Sequence, residues 1–316
     1  MLRKTWTWIT VVAVSLLIAG CAVAEEMTWT GLQALITNGE SPVSVALTSD
    51  VSAEGEYNAV PIQIPAGKTV TIDLNGHKID RARETTASCD GYAIYIQPDA
   101  TLILKDTAGG GQVTGSYDAN IGGVYNAGVF RFLSGSITGN YMAGVDNQGE
   151  FILDGGSICG NHGQAIRNRA LTDSYYGSTV ILSGTISDND WGIRNDKDAT
   201  LRMDGGTITR DGVDHVVYNF GYFEMNGGAI TGNVGRGDTA SLILCQNSGS
   251  FEMNGGSITG NSGYRGALIT VWSDGSFAMT GGEISGNHTA QGTVSVSGPA
   301  VLTGGTITDN DGIGFS

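Results

Sequence analysis

The sequence predicts an all-β fold, a right-handed single-stranded parallel β-helix (a solenoid) of about ten coils with a short N-terminal capping helix. Three observations predict it. The eleven residues Phe251 to Asn261 repeat Phe223 to Asn233 at ten of eleven positions, 28 residues downstream. A glycine motif recurs at Gly111, Gly135, Gly156, Gly184, Gly206, Gly228, Gly256, Gly282 and Gly305, at intervals of 21 to 28 residues. Self-similarity at such a period marks stacked units, and these are too short to be four-stranded propeller blades. Between the glycines, apolar and polar residues alternate with the period of two that a half-buried strand requires.

The elements follow in chain order. Residues 1–24 read as a secretion signal: Arg3 and Lys4 precede an apolar run, Trp8 to Ala19, that is short for a membrane span. Two processing readings compete. Ala22-Val23-Ala24 is a small-x-small cleavage site. Ile18-Ala19-Gly20-Cys21 has the form of a bacterial lipobox, in which Cys21 becomes the lipidated first residue and acyl chains are the only link to the membrane. Both readings place the mature protein outside the cytoplasm, secreted or at the cell surface. Residues 25–60 form an N-terminal cap. Within it, residues 31–38 make a short amphipathic helix stopped by Gly39, which covers the open edge of the first coil.

Residues 61–316 form the coils, with three strands in each. The strand after each glycine is polar-apolar-polar, as in Ser136-Ile137-Thr138 or Thr306-Ile307-Thr308, and its middle residues make a column from Val113 through Ile137, Ile158, Ile186, Ile208, Ile230, Ile258 and Ile284 to Ile307. The strand before the glycine buries pairs such as Phe130 and Phe132, Phe223 and Met225, or Phe251 and Met253. The third strand buries Val124, Val145, Ile166, Ile193, Val217, Cys245 and Val271. Corners need residues that tolerate positive φ, which Gly and Asn do. Two stacked Asn columns are therefore expected: Asn126, Asn147, Asn168, Asn195, Asn219 and Asn247, then Asn140, Asn161, Asn189, Asn233, Asn261, Asn287 and Asn310. Stacked amides can hydrogen-bond along the axis.

Composition narrows the partners. The chain of 316 residues carries 16 Lys and Arg against 31 Asp and Glu, a formal charge of −15. Nucleic-acid binding calls for clustered basic residues and is disfavoured. Of the four cysteines, Cys89, Cys159 and Cys245 remain after the signal, an odd number with no metal-site spacing.

The segment Val70-Thr71-Ile72-Asp73-Leu74-Asn75-Gly76-His77-Lys78-Ile79 resembles the opening coil of right-handed parallel β-helix proteins of the pectin-lyase-like superfamily. Residues 122–310 resemble the Gly-rich repeats of bacterial surface and adhesin-like proteins. The resemblance implies the fold and leaves the function open, because it spans polysaccharide lyases, hydrolases, tailspikes and non-enzymatic adhesins.

Repeated residues build the scaffold, so function is sought in exposed residues that vary. The outward position of the third strand reads Gln97, Tyr125, Asp146, Arg167, Arg194, Tyr218, Gln246 and Trp272. Aromatic rings that stack on sugars, in line with Arg, Asp and Gln that bind hydroxyls or carboxylates, suit an extended extracellular glycan or host surface. The expected function is an adhesin-like, glycan-binding surface module without catalysis or required cofactor. Two alternatives stand. In a polysaccharide lyase or glycoside hydrolase, Arg194, Asp190, Asp214 and His215 would be catalytic, and Asp196, Asp198 and Asp211 would hold Ca²⁺ as the resemblance implies. Polygalacturonase-type Asn-Thr-Asp, Gly-His-Gly and Arg-Ile-Lys motifs are missing, however. The other alternative is a structural spacer. Arg236-Gly237-Asp238, in an insertion, is a weak adhesive motif.

Overall fold

Only three to five residues alternate before a Gly or Asn turns the chain, so most strands are short and each repeat closes as a three-sided coil. A computed structural model describes residues 26–316 apart from 56–59, 84–90, 118–121, 173–174, 212–213, 238–239, 312–313 and 315–316, and apart from the side chains of 171, 172 and 175. The signal and lipobox readings at Cys21, as well as Cys89 and Asp238, lie outside the described residues. The result is an all-β parallel β-solenoid of about nine turns with one helix. Strands flanking the glycines join a 20-stranded sheet, and the third strands form a separate 10-stranded sheet.

The helix, α1 (Trp29–Asn38), starts two residues before the expected 31–38. The Thr28 side chain caps it by accepting from the Gly31 N–H at 3.0 Å, and the Gly39 N–H closes the other end on the Leu35 carbonyl at 3.1 Å. Trp29, Leu32 and Ile36 are its buried face. Lys68 Nζ donates to the carbonyls of Ile36, Thr37 and Gly39 at 3.1, 2.6 and 2.7 Å, placing a cation at the negative end of the helix dipole. The stack begins inside the segment read as cap. Val43–Ala46 already pairs in parallel with Thr69–Asp73, and Val51–Ser52 with Lys78–Asp80.

The core is a set of continuous columns. Residue-for-residue parallel pairing runs from Val51 and Ile79 through Val113, Ile137, Ile158, Ile186, Ile208, Ile230, Ile258 and Ile284 to Ile307. On the adjoining strand, Phe130 stacks on Phe151 at 5.1 Å, and Phe223 stacks on Phe251 at 4.8 Å. Offset stacking at this separation adds about 1 kcal/mol per pair beyond burial. Thr179 interrupts the phenylalanine column and is fully buried. Its hydroxyl donates to Asn168 Oδ1 at 3.1 Å, so the polar group is satisfied. At the corner before each Ile strand the backbone must pass close to its neighbour. Gly228 has φ +79°, and a Cβ there would lie 2.5 Å from the Gly205 carbonyl oxygen.

Both asparagine columns form, with changes in membership. In the first, each Nδ2 donates to the next Oδ1: Asn126 to Asn147 at 2.7 Å, then Asn147 to Asn168, Asn168 to Asn195 and Asn195 to Asn219 at 2.8 Å each. It ends on Cys245, whose Sγ lies 3.5 Å from Asn219 Nδ2. Cys245 is buried as expected, but it occupies the asparagine position; the inward residue beside Val217 is Ile243. Asn247 is not a column member. It is an exposed turn residue at φ +52°. The second column contains every expected asparagine and also Asp211, inserted between Asn189 and Asn233.

Candidate functional site

One outward row runs through the strand centres of the 10-stranded sheet. It is Gln63, Tyr95, Tyr125, Asp146, Arg167, Arg194, Tyr218, Leu244, Thr270 and Ser295. Tyr125, Asp146, Arg167, Arg194 and Tyr218 thus stand in one line as expected. Gln97, Gln246 and Trp272 do not. They lie two residues further along their strands, on the neighbouring row with Gln148, Arg169, Asp196 and Phe220. A shift of two keeps a residue on the same face of the sheet but moves it sideways by one row.

At one end of the line Tyr95 and Tyr125 approach at 5.1 Å, and Tyr92 lies 4.8 Å from Tyr125. The Tyr125 hydroxyl donates to Gln148, and burial raises its pKa above the ordinary phenol value, so it remains a donor. At the other end Tyr218 packs against His215 at 5.1 Å and Phe220 at 4.4 Å, and its hydroxyl contacts Gln246. Burial lowers the pKa of His215, so its ring is neutral near pH 7; Nδ1 faces the Ser241 carbonyl at 2.9 Å. From Tyr95 to Tyr218 the line spans five strand spacings, about 24 Å.

The centre is charged. Arg169 grips Asp146 at two points, Nε to Oδ1 at 2.8 Å and Nη2 to Oδ2 at 2.6 Å. Asp146 is 1% exposed, and burial still raises its pKa despite that partner. Arg194 donates to Asp196 at 2.6 Å and lies over the rings of Phe220 and Tyr218 at 5.0 and 5.8 Å. Between these two pairs stands Arg167. It is half-buried and has no hydrogen bond or ion pair of its own among the described residues. Its pKa is lowered, first by burial and then by the charge of Arg169. An anion placed against it would relieve both effects.

The other candidates are dispersed. Arg194 and His215 share a small cleft with Trp191, Gln164 and Tyr218, and among the described residues no carboxylate lines it. Asp190 instead lines a separate groove of about 380 Å³ with Asp188, Arg210 and Arg236. Asp214 lies near enough to act on the His215 charge. Of the proposed calcium ligands, Asp196 is taken up by Arg194, and Asp198 sits on an exposed turn at φ +65°. Asp211 is buried in the second asparagine column, out of reach of a site shared with the other two. Among the described residues, no group of three or more His, Cys, Asp or Glu side chains could hold a metal ion.

No protein-family model, curated protein or solved structure matches the chain.

Proposed function

We propose that this protein is an extracellular β-solenoid that binds an extended glycan along the Tyr95–Tyr218 line and does not turn it over. The resemblance to adhesin-like repeats of the pectin-lyase-like superfamily favours a surface role, with Cys21 as lipid anchor in the lipoprotein form. The observation that carries the reading is Arg167. A half-buried guanidinium that has no ion pair among the described residues, on a flat strand face with tyrosines at both ends of its row, is suited to sugar rings and an acidic or hydroxyl-rich substituent between them. The ion pairs on either side engage Asp146 and Asp196 and, among the described residues, leave the Arg167 guanidinium to a ligand.

The experiment is a glycan-array screen of residues 25–316, with calcium and with chelator, in which each ligand is also checked for cleavage. Binding without products, weakened by Arg167→Ala, supports the proposal. Unsaturated or shortened products would turn the assignment to a lyase or hydrolase. A blank array from folded protein would favour a spacer.

A further inference from the structure

The second asparagine column follows one rule, broken once. Asn233 is representative: its Nδ2 donates to the Ile208 carbonyl, the Thr231 carbonyl and Asn261 Oδ1 at 3.2, 3.3 and 2.9 Å. Asn189 does the same with Ile158, Ser187 and the next residue of the column at 3.0, 3.1 and 3.0 Å. Every partner of that nitrogen is an acceptor. At Asp211 the corresponding atom is a carboxylate oxygen. Oδ1 accepts from the Asn189 N–H and Nδ2 at 2.8 and 3.0 Å, and the Asp211 N–H donates to Asn233 Oδ1 at 2.9 Å. Oδ2 is buried with no hydrogen-bond partner among the described residues. By the register of the repeat it faces the Ile186 and Thr209 carbonyls and Asn233 Oδ1, three acceptors. An ionised carboxylate is repelled there. A protonated one donates from Oδ2 as the asparagine nitrogen does.

We propose that Asp211 is a proton-dependent latch in the solenoid wall. Protonated, it completes the asparagine column; ionised, it breaks the column at this coil and loosens the corner. Among the described residues the groups facing it are few. Asp188 on the adjoining corner and Arg210 directly before Asp211 pair with each other at 2.8 Å and largely cancel. Tyr264 packs over Gly235, and its buried phenol, also without a partner among the described residues, has its pKa raised by burial and by the Asp211 charge. Burial is the largest influence on Asp211 and lifts its pKa from 3.8 to about 7, against the pull of the Asn189 hydrogen bonds. The folded state therefore holds this proton more tightly than the unfolded chain. The contribution to stability is complete below the unfolded value and is lost as pH rises through about 7.

The test compares wild type with Asp211→Asn, the residue the column uses elsewhere. Between pH 5 and pH 8 the folding equilibrium constant of wild type should fall by about a hundredfold relative to the variant. A carboxylic-acid infrared band should titrate near pH 7 in wild type and be absent from the variant. Parallel stability curves, or no acid band above pH 5, would overturn the proposal. Should D211N fail to fold, amide exchange in wild type decides. Protection at the Asn189 and Asp211 N–H groups should drop above pH 7 after correction for intrinsic exchange, and unchanged protection would refute the latch.

Discussion

Arg169 and Asp146, 23 residues apart in sequence, meet as a two-point ion pair on the face of the 10-stranded sheet, with the carboxylate almost wholly buried. Removing the arginine strands a buried charge. Arg169→Ala should therefore destabilise the fold by about 3 kcal/mol near neutral pH. The raised pKa of Asp146 sets the sign of the pH effect: the penalty shrinks as pH falls, because the orphaned acid takes up a proton. Urea unfolding at pH 5 and pH 7.5 measures both.

Asn168 sits mid-column. It donates to Asn195 and the Thr200 carbonyl and accepts from Asn147 and Thr179. Asn168→Ala leaves several buried partners unmade and should cost on the order of 3 kcal/mol. Asn247→Gly, on an exposed turn, should be nearly neutral. Equal losses for the two variants would contradict the column assignment.

Cys245 is fully buried, and its thiol pKa is pushed up to about 12 by burial. It should resist alkylation at pH 8 until the chain unfolds, whereas half-exposed Cys159 is accessible. Mass spectrometry of alkylated peptides, with and without urea, reads this directly.

On the proposed binding face, Tyr125→Ala and Tyr218→Ala should each weaken glycan binding roughly tenfold, the loss of one stacking contact. Arg167→Gln should weaken acidic ligands more than neutral ones. Titration calorimetry with an acidic and a neutral ligand separates the two effects, and equal losses would remove the guanidinium from the site.

The part of the fold legible in sequence was the part written by local chemistry. The isoleucine column from Ile137 to Ile307 and both kinds of corner follow from period-two alternation and from residues that tolerate positive φ. Register along the third strand was less legible at its two ends, at Gln97 and after residue 240. Ile243-Leu244-Cys245 and Cys245-Gln246-Asn247 both begin with an apolar inward residue, and Asn247 mimicked the end of a repeat. A slip of two leaves inside and outside unchanged, so nothing in the pattern opposes it. This is why Gln97, Gln246 and Trp272 fall on the neighbouring row while Arg167, Arg194 and Tyr218 keep the expected one.

By itself the sequence determined that the chain coils, where it turns and which residues face inward, because those depend on spacing and on the φ freedom of single residues. Only the tertiary structure decided which groups pair across coils. It joined Arg169 to Asp146, left Arg167 without an ion pair among the described residues, and set Asp211 among acceptors. Those outcomes depend on distances between residues 20 to 30 positions apart, and on a burial that exists only once one coil rests on the next.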